Sequence, residues 1–215
     1  MLFRSLKEAA LLGCGVATGW GSASEIGGTK AGDTVVVVGI GGVGINSVQG
    51  AVASGARFVV AVDPVPFKRE MAEKMGATHT FASMEEALPA VGEFTWGKMA
   101  NTTIITVGVI EGEMIAPALA LTAKGGQVVV TGMGPASDID VKLSLFELTL
   151  LQKRVQGAIF GGAGPRTQIP NLLNEYRAGK LNLTDLVTTR YTLDQVNEAY
   201  DDMLNGKNIR GMIEF

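Results

Sequence analysis

Six residues, Gly39-Ile40-Gly41-Gly42-Val43-Gly44, sit between an apolar β-branched run and a helical pattern. Asp63 follows nineteen residues after Gly44, at the end of the next apolar run. In that context the G-x-G-x-x-G spacing is the pattern of a dinucleotide cradle, with a separate physical task for each glycine. Gly39 makes the tight turn, Gly41 lets a pyrophosphate approach the backbone, and Gly44 lets the following helix lie close to the sheet. The helix start offers free N–H groups and the positive end of a dipole to phosphates. Asp63 is placed to accept hydrogen bonds from the hydroxyls of an adenine ribose. Its charge would repel a 2′-phosphate, so NAD is expected over NADP. Lys68, five residues further on, is within reach of the same ribose or is a solvated lysine. A methyltransferase that binds S-adenosylmethionine uses a related loop and an acidic strand end, and stays open at this point.

A second candidate is Leu12-Gly13-Cys14-Gly15-Val16-Ala17-Thr18-Gly19-Trp20-Gly21. A lone cysteine is more often a small buried hydrophobe than a ligand, but flanking glycines let other groups come close. Cys14 and His79 are the only cysteine and histidine in the chain. A complete zinc site of Cys and His ligands therefore cannot be built from it alone, and one cysteine excludes an internal disulfide. His79 follows a helix-ending Met75-Gly76 and reads as part of a surface turn. The nine methionines read as core filler.

The elements that must position these residues alternate. Buried strands are expected at Thr34–Val38, Arg57–Val62, Thr102–Val107, Gln127–Thr131 and Val155–Phe160, with a short one at Thr80-Phe81. Helices are expected near Ile45–Ala53, Phe67–Met75, Glu85–Ala90 and Met114–Thr122. Val141–Leu151 fits helix or strand. Alternation of this kind implies a parallel sheet with helices on both faces, and right-handed crossovers make it doubly wound. After Gly161-Gly162-Ala163-Gly164-Pro165 the rhythm changes: helix near Thr167–Ala178, extended chain at Leu186–Tyr191, helix at Asp194–Leu204, strand-like residues from Arg210 to Phe215. That tail reads as an α+β appendage to a six-stranded α/β sheet.

The composition fits a folded protein: 215 residues, 47% hydrophobic and 18% charged. A net charge of -3 gives no reason to expect a nucleic-acid partner or an anionic membrane. Glycine is abundant, at 29 residues, without a collagen period, so it serves turns and close approaches. The N-terminus carries too many charges for a secretory leader. The greasiest stretch, Thr34 to Ile45, is too short to span a bilayer. A cytoplasmic setting is the expectation.

Taken in order, the Leu12–Gly21 segment, the Gly39–Gly44 loop, Asp63 with Lys68, the Gly157-Ala158-Ile159-Phe160-Gly161 stretch and the Asn208-Ile209-Arg210 ending resemble the cofactor-binding half of a zinc-dependent medium-chain alcohol dehydrogenase. The resemblance covers essentially the whole chain. Gly15–Gly21 and Val62–Arg69 are similar to the actinobacterial branch assayed with nitrosodimethylaniline, a branch said to hold its NAD tightly. The resemblance implies a Rossmann fold and a role for each matching position. Cys14 would be one protein ligand of the catalytic zinc. Thr18 would pack on the nicotinamide, with Gly42 and Val43 in the loop and Val43 behind that ring. Thr131 and Ala158 would hold the carboxamide through backbone groups, with Phe160 beside them. Arg210 would reach the pyrophosphate from the tail. Val141–Leu151 would lie at the edge of a homodimer.

The departure from the family is as informative. Its other two zinc ligands, its hydroxyl relay and its four-cysteine structural zinc belong to a preceding domain with no counterpart here. Residues 1–15 are expected to be a remnant of that domain, 16–159 the NAD-binding domain, and 160–215 a segment belonging with the catalytic domain. The parent is expected to depend on zinc and to transfer hydride between a primary or secondary alcohol and NAD, with no catalytic residue in this chain. The open alternatives are a stand-alone NAD-binding module and the methyltransferase.

Overall fold

Thr34-Val35-Val36-Val37-Val38 form strand β1 (Thr34–Val38), and Val35, Val36 and Val37 have no exposed surface. The run can be apolar throughout because both faces are covered. Val35 and Val37 point into one core with Val59, Ala61, Ile104 and Val129. Val36 and Val38 point into the other with Val60, Val62, Ala87 and Val91. Each fully buried valine contributes roughly 1.5–3 kcal/mol relative to exposure.

The computed structural model describes residues 6–137 and 139–215. The first five residues of the expected 1–15 remnant lie outside the described residues. Around β1 stand β2 (Phe58–Val62), β3 (His79–Phe81), β4 (Ala100–Ile105), β5 (Thr122–Val130) and β6 (Arg154–Gly157). Their spatial order is β3-β2-β1-β4-β5-β6 and every pairing is parallel. The order reverses direction between β1 and β4. A crevice opens outside the carboxyl ends of strands at such a switch point, where doubly wound sheets bind ligands.

The helices are α1 (Leu6–Leu11), α2 (Gly15–Gly21), α3 (Gly44–Ala53), α4 (Pro66–Lys74), α5 (Met84–Phe94), α6 (Ile115–Leu121), α7 (Leu145–Leu150), α8 (Pro165–Arg177) and α9 (Val196–Leu204). Ser83 caps α5 by accepting from the Glu86 N–H, and Ser144 caps α7 by accepting from the Glu147 N–H. A π-helical turn, Ser22–Ile26, continues α2. The tail adds β7 (Val187–Tyr191) and β8 (Arg210–Ile213), paired parallel in a separate two-stranded sheet. The tail is nevertheless anchored to the main core, since Leu172, Leu181, Leu183, Leu186 and Ile209 pack in the cluster that holds Val35 and Val37. Its own polar knot is Asp202, which accepts from Lys207 and from the hydroxyl of buried Tyr191, both at 2.8 Å. Those donors hold the Asp202 carboxyl below its usual range.

The doubly wound six-stranded sheet with its α+β tail is the architecture the sequence implies. Three local features depart from it. Val141–Leu151 resolves as an extended lead followed by helix α7, with Leu145 and Phe146 largely exposed at 73% and 71%. It is no strand, so the sheet edge on that side is β6, and pairing of sheet edges along 141–151 itself is corrected. His79 opens edge strand β3 in register with Val60 and so lies in no turn. Its ring stacks on Phe94 at 4.4 Å and meets Phe58 edge-on, which explains why a polar residue occupies that place. Finally, the N-terminal segment read only for its chemistry is helical through α1 and α2. No helix among the described residues is long and apolar enough to cross a membrane.

Candidate functional site: a dinucleotide cleft at the switch point

All the candidate residues of the sheet fall on one rim. The Gly39–Gly44 loop follows β1, Asp63 follows β2, Thr131 follows β5, and Ala158 follows β6. A cleft of about 450 Å³ opens there, with Gly39, Gly41, Asp63, Lys68, Thr106 and Met114 among its walls.

The loop has the geometry its spacing predicts. Gly39 has φ of 88°, and a Cβ there would lie 2.9 Å from the Val107 nitrogen, so only glycine turns here without strain. At Gly44 a Cβ would overlap the Gly39 carbonyl oxygen. That glycine therefore sets how closely α3 approaches β1. Gly41 differs from both, because a Cβ there meets nothing within 4 Å. Its open side faces the cleft and is the space a pyrophosphate needs. Helix α3 has no side-chain cap, with Val43 at the N-cap position. The amides of Gly42 and Val43 donate to no backbone carbonyl among the described residues. Free amides at a helix start are an anion cradle.

Asp63 is 4% exposed. Its Oδ2 accepts from the Ile40 N–H at 2.7 Å and its Oδ1 from the Val65 N–H at 2.9 Å. The Lys68 ammonium stands 3.9 Å from Oδ2. These donors fix the carboxylate, and each oxygen keeps a lone pair for a ligand hydroxyl. Arg69, which sequence reasoning passed over, donates to the Asp63 and Pro64 carbonyls at 2.7 and 3.0 Å and pins the corner from outside.

The tail closes over the loop. The Arg210 guanidinium occupies the space that a Cβ at Gly42 or at Gly15 would need. No carboxylate pairs with Arg210 among the described residues. Burial pulls its pKa down, and the Cys14 thiol pushes the other way. An arginine keeps its charge even so, and a half-buried, unpaired guanidinium above free amides is a second half of an anion site. Gly206, in the turn after α9, places its Cα side near Lys68, whose Nζ would be 3.3 Å from a Cβ there.

Helix α2 packs beside the loop, where a Cβ at Gly19 would overlap the Val43 carbonyl oxygen. Thr18 lies on it and Cys14 precedes it, exposed. Gly161, in the turn that Phe160 begins, packs so tightly on α2 that a Cβ would lie 2.9 Å from the Thr18 carbonyl oxygen. The Ala158 N–H pairs with the Val130 carbonyl at 2.9 Å, and the Thr131 N–H with that of Ile105 at 3.0 Å. Sequence reasoning missed Ser22, fully buried, whose hydroxyl joins Thr18 to Thr131. A serine in a run of small residues carries no signal of that kind.

For a zinc ion the donors do not suffice. Among the described residues no three of His, Cys, Asp and Glu gather at one point, and Cys14 is a single donor. A larger cavity, about 670 Å³, lies at the opposite end of the sheet, with Lys98, Lys124 and Lys153 on its walls. Lys153 donates to the Leu119 carbonyl at 2.7 Å. Lys98 and Lys124 follow the C-termini of α5 and α6, and Lys153 bonds a carbonyl near the end of α6, so the cations offset the negative dipole ends there.

The fold and the order of the strands thus define a Rossmann-like α/β protein. Residues 42–178 match the family model described as zinc-binding dehydrogenase, and the chain belongs to that family. It is 53% identical over 209 residues to alcohol dehydrogenase B of Mycobacterium tuberculosis, covering 97% of this chain and 56% of the relative. It is 52% identical over 208 residues to the NDMA-dependent alcohol dehydrogenase of Amycolatopsis methanolica, with the same coverage. The chain therefore spans about half the length of these curated relatives. Benzyl alcohol dehydrogenase from Acinetobacter calcoaceticus superposes with a TM-score of 0.91 at 26% identity, over 100% of this chain and 59% of that one. Membership of this family sets the methyltransferase alternative aside.

The two glycines separate fold from binding. Gly41→Val fills open space, so the variant should melt within a few degrees of the parent chain while losing dinucleotide affinity at least tenfold. Gly44→Ala drives a methyl into the Gly39 carbonyl and should cost about 2–4 kcal/mol of stability. Thermal melts with ligand titration check both, and unchanged affinity in folded Gly41→Val would remove the loop from the site.

Proposed function

We propose that the chain is the cofactor-holding portion of an NAD- and zinc-dependent alcohol dehydrogenase. In this reading residues 16–159 bind NAD and 160–215 belong with the catalytic domain. The observation that carries the reading is the combination of a fixed carboxylate at Asp63 and open space at Gly41 on one cleft, with an unpaired Arg210 against Gly42 of the same loop. Asp63 and Lys68 would hold the adenine ribose. The Gly39–Gly44 loop and Arg210 would hold the pyrophosphate. Thr18, Val43, Thr131, Ala158 and Phe160 would surround the nicotinamide. NAD supplies the hydride acceptor, and the residues here bind and orient it. Cys14 would give one thiolate to a zinc whose remaining ligands lie outside this chain, so no step of the chemistry is assigned to zinc within it. An alcohol or aldehyde substrate, a cytoplasmic setting and the absence of nucleic-acid or membrane partners belong to the same reading.

Calorimetry with NAD and NADP tests the cofactor. The chain should bind NAD at least tenfold more tightly, because a 2′-phosphate would meet a buried carboxylate. Asp63→Asn keeps an acceptor for the Ile40 N–H and should bring the two affinities closer. Equal binding to the unaltered chain would end the assignment.

Metal analysis and a dye-coupled alcohol assay on the purified 215-residue chain test the zinc reading. Less than one zinc per chain and no turnover are expected, since a lone thiolate leaves a zinc short of its usual three protein ligands. Stoichiometric zinc with turnover would mean that unrecognised residues supply the site.

A homodimer through Val141–Leu151 is proposed as well. Val141, Leu145, Phe146 and Leu150 are exposed, and exposed apolar residues in one segment suit an interface. Light scattering should give twice the chain mass, and Phe146→Asp should halve it. A monomer at high concentration would count against the interface.

A further inference from the structure

The cavity of about 670 Å³ lies at the amino ends of the strands, where Thr34 opens β1, Phe58 opens β2 and Thr122 opens β5. It has the size of a small-molecule site. Its walls carry four cations, Arg57, Lys98, Lys124 and Lys153, against one carboxylate, Asp33. The chain as a whole has a net charge of -3, so the sign is reversed locally. Lys153 is engaged by the Leu119 carbonyl and by Glu147. Arg57, Lys98 and Lys124 pair with no carboxylate among the described residues. Helix C-termini account for Lys98 and Lys124. They do not account for Arg57, which precedes β2 with its guanidinium 4.9 Å from the centre of the Phe58 ring.

Trp96 stands on the same wall. It follows the end of α5 with φ of 53°. The Trp96 N–H donates to the Glu93 carbonyl at 3.0 Å, and the Gly97 N–H to that of Gly92 at 2.7 Å. This paired closure of a helix end ordinarily puts glycine at the left-handed position. A tryptophan there is strained, and it is 84% exposed, so neither backbone conformation nor burial favours it. It stacks on no other ring among the described residues. Met99, also on the wall, has φ of 67°, and Gln152, between wall residues Leu151 and Lys153, has φ of 52°. Three of the four non-glycine residues with positive φ among the described residues thus gather here. Backbone strain of this kind clusters at ligand sites.

We propose that this cavity is a ligand site in its own right, for a small anion that carries an aromatic ring, with the ring on Trp96 and the charge among Arg57, Lys98 and Lys124. The exposed indole offers a stacking face, and the cations select a charged ring over a neutral one. An inorganic anion would leave Trp96 uncovered, and a neutral aromatic would leave three cations unpaired. The inference does not rest on the cofactor reading, since none of these residues lines the cleft at Gly39 and Asp63.

The test is calorimetric titration of the chain with phenyl phosphate, inorganic phosphate and phenol. Phenyl phosphate should bind at least tenfold more tightly than either of the others, and added salt should weaken it. Trp20, the other tryptophan, is 9% exposed, so a saturable change in tryptophan emission on titration should come from Trp96. Trp96→Gly installs the residue that this helix ending ordinarily carries, so the variant should melt no lower than the unaltered chain. It should nevertheless lose at least fivefold in affinity for phenyl phosphate, with inorganic phosphate unaffected. Lys98→Gln with Lys124→Gln should weaken both anions at least threefold. Phenyl phosphate affinity no better than that of inorganic phosphate, or unchanged in both folded variants, would overturn the proposal. An anion held at the Gly39–Gly44 loop instead would give the second of these results.

Discussion

The carboxylate of Asp63 is the joint on which the cleft depends. It stands at the end of β2, yet its two oxygens accept from the backbone of Ile40, in the loop after β1, and of Val65, at the start of the next turn. Hydrogen bonds to a buried charged acceptor contribute about 1.5–3 kcal/mol each. One side chain thus ties two consecutive crossovers together and holds the glycine loop at a fixed height above the sheet. The loop in turn sets the start of α3, and Thr106 after β4 donates to the Gly39 carbonyl from the other side of the switch point. The same carboxylate that would read a ribose therefore builds the wall around it, and structural and binding roles cannot be separated by deleting it.

The sheet was legible because its strands are apolar on both faces. A run such as Val35 to Val38 has few alternatives to a buried parallel strand, and the glycine spacing after it makes sense only as a turn into a helix. Where burial is one-sided the sequence speaks less clearly. Val141–Leu151 alternates enough to suggest a strand, but Ser144 caps a helix there by bonding the Glu147 N–H, and local capping prevails where no neighbouring strand competes. His79 was misplaced for the converse reason. A lone histidine after a helix-ending glycine looks like a turn residue, and its strand placement depends on rings at Phe58 and Phe94 that are distant in sequence.

The candidate site was legible to the same degree. Residues with a spacing rule, from Gly39 to Asp63, are where that rule puts them. Thr18, Thr131, Ala158, Phe160 and Arg210 have no spacing rule, and resemblance alone brought them forward. Thr131 and Ala158 follow β5 and β6 at the same end of the sheet as the loop, and Arg210 packs against Gly42. Arg210 reaches the loop because Ile209, beside it, is buried in the main core, and because Gly15 and Gly42 lack the side chains that would exclude a guanidinium. Ser22 had neither spacing nor resemblance to draw attention to it.

Electrostatic balance shows why the tail belongs to the cleft despite its separate two-stranded sheet. The loop presents unpaired amides and a helix start, both partially positive, and Arg210 adds a full charge at the same place with no acidic partner among the described residues. Three positive elements converging without an anion would destabilise the closed arrangement by mutual repulsion if nothing offset them. Ile209 and its neighbours in the core supply the offset, because apolar burial fixes the β8 end regardless of charge. The cost of holding Arg210 over the loop is met by hydrophobic packing of Ile209. In the cofactor reading proposed above, little side-chain entropy would remain for Arg210 to lose on meeting a pyrophosphate, because the guanidinium is already in position.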